Sequence, residues 1–169
     1  MMDGRSWFAR YRVRLGFAAA ALVFWLARPC TWSLLIGTAV AVAGEAIRVW
    51  AAGHLEKGRE VTVTGPYRFT RHPLYLGSAV IGVGFAIASA SVAVAVLVAV
   101  YLAVTITSAI RSEERHLTEK FGSVYPSYRD GHAPQADRRF SLQRVMANRE
   151  YRAVTGLALA LALLVWKAR

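Results

Sequence analysis

The sequence predicts an all-α fold: a polytopic helical membrane protein of about five transmembrane helices. Three observations lead there. Hydrophobic residues make up 56% of the 169-residue chain and charged residues only 18%, too apolar a balance for an ordinary water-soluble domain. The apolar residues come in long runs broken by short polar segments, the pattern of successive spans. The cations gather between those runs, with 17 of the 21 Lys and Arg in residues 1–14, 53–73 and 111–153. The net charge of +11 therefore reads as loops on one side of a membrane. No nucleic-acid partner is expected, because the chain lacks a contiguous soluble basic domain. The length fits a single domain, residues 1–169. One cysteine, Cys30, excludes an intramolecular disulfide and a cysteine metal cluster, and no HExxH-like motif is present, so no metal is expected.

The basic N-terminus and the apolar run Leu15 to Ala27 have the outline of a signal peptide. Arg28-Pro29-Cys30 is a poor cleavage site, however, and a second apolar run follows at once. The better reading is a helical hairpin, with helix 1 over Tyr11–Ala27, a turn at Arg28-Pro29 and helix 2 over Thr31–Ala52. The first apolar core is short against the ~20 residues of a span, so Arg12 and Arg14 have to snorkel. Glu45 and Arg48 lie three apart on helix 2, placed to pair and to line a polar cavity. His54 to Arg71 reads as a polar loop, with a turn at Gly65-Pro66. Helix 3 starts at Pro73, whose missing N–H costs nothing in a first turn, and runs to Ser89. Its Gly77, Ser78, Gly82 and Gly84 allow close approach of another helix.

Ser89-Ala90-Ser91 makes a tight turn into helix 4. That helix is uncharged from Val92 to Ile110 and continues past the membrane surface to Phe121, with Gly122 as its stop. Tyr125 to Pro134 reads as irregular or half-helical. Asp137 to Arg152 reads as a basic surface helix in contact with anionic lipid, and Val154 to Trp166 as a short fifth helix. With the N-terminus cytoplasmic, this layout obeys the positive-inside rule and puts both loops flanking helices 3 and 4 in the cytoplasm.

Two polar clusters then share one membrane face. The first lies within Val61–Gly77, VTVTGPYRFTRHPLYLG; the second runs from Arg111 to Tyr128. If helices 3 and 4 form an antiparallel hairpin, Pro73 and Arg111 sit at matching heights. His72 and Tyr75 then come near Glu113 and Glu114. An acidic pair opposite a His/Arg collar suits a ligand with separated positive and negative groups, such as an amino-acid end. The aromatic rings can stack a purine or face a sulfonium.

These segments, GPYRFTRHPLYLG and EERHLTEKFGSVYPSY, resemble the isoprenylcysteine carboxyl methyltransferase and phospholipid methyltransferase superfamily. Its pattern runs GPY-x-x-x-RHP-x-Y-x-G and then EE-x-x-L-x-x-x-FG-x-x-Y-x-x-Y, and both halves are complete over a core of about residues 44–130. The resemblance implies an integral membrane enzyme, of plasma or inner membrane type, that uses S-adenosylmethionine and releases S-adenosylhomocysteine. It implies a cytosolic cofactor pocket between the loop before helix 3 and the end of helix 4. Carried over by position, Val61, Thr62, Tyr67, Arg71, His72, Pro73, Leu74, Tyr75 and Gly77 line that pocket. Glu113 holds the amino-acid end of the cofactor, with Glu114 the weaker candidate. Gly82-Val83-Gly84 resembles a small-residue cofactor motif of the phospholipid branch.

In the prenylcysteine branch an Arg one turn before the acidic pair touches the substrate carboxylate. Here that position is Ala109, and Arg111 lies about 200° further round the helix. Arg111 and Arg48 are the cationic candidates toward an acceptor. Methyl transfer is an in-line displacement that needs positioning and exclusion of water, and no nucleophilic side chain. A general base, if the acceptor needs one, is open among Glu114, His116, Tyr75 and Glu45. The expected acceptor is lipophilic or small: an isoprenylcysteine-like carboxylate, a phospholipid amine or a thiol. The alternative reading is a non-catalytic membrane scaffold or sensor that keeps the fold. The oligomeric state is left open.

Overall fold

The computed structural model describes residues 20–132 and 137–169. The expected start of helix 1 at Tyr11, the snorkelling of Arg12 and Arg14, and Pro134 lie outside the described residues. Those described are all-helical, without a strand. Residues 20–26 are helical and are termed α1. There follow α2 (Thr31–His54), a 3-10 turn (Gly65–Arg68), α3 (Pro73–Ser89), α4 (Val92–Phe121), α5 (Val124–Arg129), α6 (Leu142–Ala147) and α7 (Tyr151–Lys167).

Two of these helices, α2 and α4, are long and apolar enough to cross a membrane. Helix α3 is apolar but shorter: 17 residues span about 25 Å against a hydrocarbon core of about 30 Å. Most of α4 is unburied: Val92, Val96, Val100, Tyr101 and Val104 are all exposed, and only Val94 is buried.

Helices α2 and α3 form the central antiparallel pair. Gly37, Ala41, Gly44 and Arg48 recur at spacings of four, three and four, and so do Gly77, Ile81, Gly84 and Ala88. Each set therefore lies along one helix face. The two faces meet in register: a Cβ added at Gly44 would lie 2.7 Å from Ile81 N and 2.8 Å from Gly77 O, and one at Gly84 would run into Ala41 N. Backbone meets backbone at Gly37, Gly44 and Gly84, and there moving a side chain alone cannot make room. Gly82 points the other way, onto Leu102 of α4. The glycines of helix 3 thus serve helix packing on two sides.

One end of the bundle gathers the C-terminus of α2, the N-termini of α3 and α7, and α6. At the other end, Ser33 Oγ donates to Ala88 O at 3.2 Å and Arg28 N to Ser89 O at 2.7 Å. There too Leu164 of α7 is buried with Ala27 and Ala88, and Lys167 Nζ donates to Trp25 O at 2.8 Å. Helix α7 thus runs the height of the bundle beside α3.

The expected bounds of helices 3 and 4 coincide with those found, including the stop at Gly122, whose φ of 54° suits glycine. Helix α2 continues to His54, so this residue belongs to a helix and not to the loop. Of the expected basic surface helix over 137–152, only Leu142–Ala147 forms a helix of its own, and Tyr151 and Arg152 already belong to α7. That segment is bound to the end of α2: Arg144 Nε donates to Gly53 O at 2.7 Å, Ser141 N to Gly53 O at 3.1 Å, and Asn148 Nδ2 to Ala52 O and Leu55 O at 3.0 Å. The last carbonyls of a helix lack intrahelical partners, and here a distant segment supplies the donors.

Candidate functional site

The polar end of the α2–α3 pair carries the collar. Gly65 stands at φ +58°, and a Cβ there would lie 2.6 Å from the His54 ring. Positive φ and close approach both demand glycine at this turn. His54 is buried, packs against Trp50 and Phe140, and so supports the Gly65-Pro66-Tyr67 turn from below. Pro73 is buried at the first position of α3, and its N-cap His72 is mostly buried.

Helix α4 returns antiparallel to α3 and delivers its acidic pair to this turn. Glu114 Oε1 lies 3.1 Å from His72 Nε2 and 3.4 Å from Arg71 Nη1, and accepts from the Tyr125 hydroxyl at 3.0 Å. Three donors on one oxygen make Glu114 the knot of the collar. Glu113 differs. Its carboxylate is 3.9 Å from His72 Nδ1, beyond hydrogen-bond length, and 44% exposed. Adjacent in sequence, the two acids divide into one with three partners and one, half-exposed, whose hydrogen-bond contact is the Tyr75 hydroxyl. Tyr75 stacks obliquely on His72, with ring centroids 5.8 Å apart, and its hydroxyl faces Glu113.

Helix α5 folds back over this group. Tyr125 is almost fully buried, and the Tyr128 hydroxyl donates to Tyr67 O at 2.7 Å. Electrostatics follow from these contacts. The carboxyl of Glu114 lies past the apolar stretch 92–110. Burial by itself raises it, but hydrogen bonds from His72 and Tyr125 and the Arg71 charge outweigh burial and hold it below the usual carboxylate range. Burial pushes the Tyr125 phenol up, and its hydrogen bond to Glu114 adds to this, so it stays a neutral donor. Burial also raises the Tyr67 phenol, with the Glu113 charge adding to it.

The remaining expected residues are placed unevenly. Thr62 is buried but its hydroxyl accepts from Glu56 N at 3.3 Å, which braces the loop. Val61 and Leu74 are half-buried, and Leu74 O accepts from Ser78 Oγ at 2.9 Å. Gly77 faces α2, where a Cβ would meet Gly44 O at 2.7 Å, so it serves the seam. Arg111 is exposed, as are His116 and His132.

Arg48 pairs with Glu45 at 3.7 Å, the partner expected from its spacing. Its closer partner is Glu150, at 2.6 Å from both Nε and Nη2, and Nη1 reaches Ser78 Oγ and Leu74 O. The guanidinium thus ties the start of α7 to the first turn of α3. Glu45 is left buried, with both carboxylate oxygens lacking a hydrogen-bond partner among the described residues. Glu150 and Thr64, the latter buried with a hydroxyl that has no hydrogen-bond partner among the described residues, carry no motif and were not legible in the sequence. Among the described residues no group of three His, Cys, Asp or Glu is placed to hold a metal ion.

The family model for phospholipid methyltransferase matches residues 11–124. The chain belongs to the phospholipid methyltransferase family. The match takes in α2, α3, α4 and the collar residues through Glu114, and stops at the start of α5, before Tyr125 and Tyr128. Membership and the two long apolar helices together support integration in a membrane. The chain is also similar to the nickel-cobalt-cadmium resistance protein NccN of Alcaligenes xylosoxydans xylosoxydans, at 31% identity over 89 residues, 52% of this chain and 40% of that protein. The chain thus spans well under half of that relative. No solved structure matches.

Proposed function

We propose that this single-domain chain is an integral membrane methyltransferase that moves the methyl group of S-adenosylmethionine to a lipophilic amine. The observation that carries the reading is the division of the acidic pair. Glu114 is engaged by His72, Arg71 and Tyr125, while Glu113 beside it is half-exposed and takes a hydrogen bond from the Tyr75 hydroxyl. A ligand ammonium finds there an accessible carboxylate with acceptor sites to spare, and Arg71 and His72 lie next to it for a ligand carboxylate. The rings of Tyr67 and Tyr75 offer faces to a cationic sulfonium. The donor set therefore fits the cofactor. When bound, S-adenosylmethionine supplies an already activated methyl group and leaves as S-adenosylhomocysteine.

The residues of the chain have the remaining tasks. Helix α5, pinned by Tyr125 and Tyr128, covers the Glu114 and Tyr67 side of the collar. Arg48 holds α7 to α3 and fixes the first turn that carries Leu74 and Tyr75. Glu45 offers a buried carboxylate that is 3.7 Å from Arg48 but accepts no hydrogen bond among the described residues, suited to a cationic headgroup and to the proton an amine releases on methylation. With Ala109 where the prenylcysteine branch has Arg, and with Arg48 already bound to Glu150, an amine is favoured over a carboxylate acceptor. In this reading α1, α2, α3, α4 and α7 are the five spans, and the collar and the N-terminus face the cytoplasm.

The test is transfer of labelled methyl from S-adenosylmethionine by reconstituted protein, across phosphatidylethanolamine, a prenylcysteine and a small thiol. Label in the amine lipid, abolished by Glu45→Ala, is the expected result. Label only in the prenylcysteine contradicts the choice of acceptor. No label in any acceptor, from protein that binds no cofactor, favours a scaffold that merely keeps the fold.

A further inference from the structure

A second site lies on the same end of the bundle, outside the collar. The loop 55–59 and α6 enclose a cleft of about 690 Å³, lined by Lys57, Arg59, Arg144 and Arg149 together with Ser141 and Asn148. That volume is in the range of small-molecule sites, roughly 300–1,000 Å³. Four cations share one acid, Glu56, which stands 3.7 Å from Arg59 and 3.6 Å from Arg144. Lys57 and Arg149 have no ion-pair partner among the described residues. Lys120 adds another cation beside the loop, since a Cβ added at Gly58 would lie 3.6 Å from its Nζ.

Like charges gathered in one cleft repel, and an anion relieves them. The negative end of the α2 dipole is no competitor, because Arg144, Asn148 and Ser141 already cap its last carbonyls. Arg149 also stands at φ 59°, an uncommon conformation for a bulky side chain and one found more often at binding sites.

The surroundings indicate where the anion comes from. Leu142 and Met146 are four apart on α6, on one face, and 69% and 59% exposed. Phe140 precedes them, and Trp50 and Phe69 lie exposed with ring centroids 6.4 Å apart. Exposed apolar and aromatic side chains beside a basic cleft fit the headgroup level of a bilayer, where one part is buried in acyl chains and the other meets phosphate. We propose that this cleft binds the phosphate of an anionic phospholipid and docks α6 and the end of α2 on the membrane surface. The proposal does not depend on methyl transfer.

The test is native mass spectrometry of the detergent-purified full chain with phosphatidylglycerol or phosphatidylcholine. It compares wild type with Lys57→Gln/Arg149→Gln, and with the equal charge loss Arg115→Gln/Arg129→Gln elsewhere. Wild type is expected to retain the anionic lipid preferentially. The cleft pair should lower that preference by about fivefold for each charge removed, as about 1 kcal/mol per surface cation implies. The control pair should leave it intact. Equal retention of the two lipids by wild type, or equal loss in both double variants, overturns the site. Displacement of phosphatidylglycerol by millimolar inorganic phosphate overturns the lipid assignment in favour of a soluble anion. The four positions are exposed, so a melting curve matching wild type verifies that the fold persists.

Discussion

Along the α2–α3 seam, Gly37, Ala41 and Gly44 meet Gly77, Gly84 and Ala88 with backbone against backbone. At the end of the same two helices, the next step of the spacing is Arg48, and the contacts become ion pairs and hydrogen bonds drawn from α4, α5 and α7. The seam is specified by the absence of side chains and fixes the register of the helices. The collar is specified by directions of side chains and depends on that register. Space can be lost from the seam only by moving a backbone, whereas the collar can lose one bond and keep the rest.

Substitutions at the two places should therefore differ in kind. The largest effect is expected at Gly44→Leu, which forces α2 off α3. Overpacking of this sort costs about 3 kcal/mol or more, and a melting curve in detergent should show the loss. Glu113→Gln should leave the melting curve near wild type and weaken cofactor binding by about 10- to 100-fold, the worth of a hydrogen bond to a charged group. Glu114→Gln should act in the opposite sense, lowering stability by about 1–2 kcal/mol through its lost charge partners.

The same variant tests the sign of a pH effect. Since the Glu114 carboxyl is held below its ordinary range, its contribution is present above that range and fades as pH falls through and below it. Glu114→Gln should flatten that acid limb of stability. Tyr125→Phe removes one of three bonds to Glu114 and should cost about 1 kcal/mol. The smallest effect is expected at Arg111→Ala. Its side chain is exposed, and both stability and cofactor binding should stay at wild-type values.

Much of this architecture could be read in the sequence, for local reasons. Pro73, the Ser89-Ala90-Ser91 turn and Gly122 mark helix ends within a few residues, so α3 and α4 came out with their bounds. An antiparallel hairpin has only one height for each residue, which brought His72 to Glu113 and Glu114. The seam spacing also stood in the sequence, as small residues suited to close packing.

What escaped was non-local. Arg48 has a visible neighbour in Glu45, three residues away, but its nearer partner Glu150 is 102 residues off. Nothing periodic connects them. The basic stretch 137–152 looked like a surface helix because its charges are local, yet Arg144 and Asn148 serve the carbonyls of α2. Tyr128 bonds to the backbone oxygen of Tyr67, and a carbonyl has no residue type that a sequence could display. His54 looked like a loop residue until the Gly65 turn closed over it.

The most direct measurement is calorimetric binding of S-adenosylmethionine to detergent-purified protein, comparing wild type with His72→Ala and Glu113→Ala. Saturable binding by wild type is expected, with its loss in both variants while their melting curves remain cooperative. Folded wild type that binds no S-adenosylmethionine, even with lipid added, would contradict the methyltransferase reading and place the scaffold first.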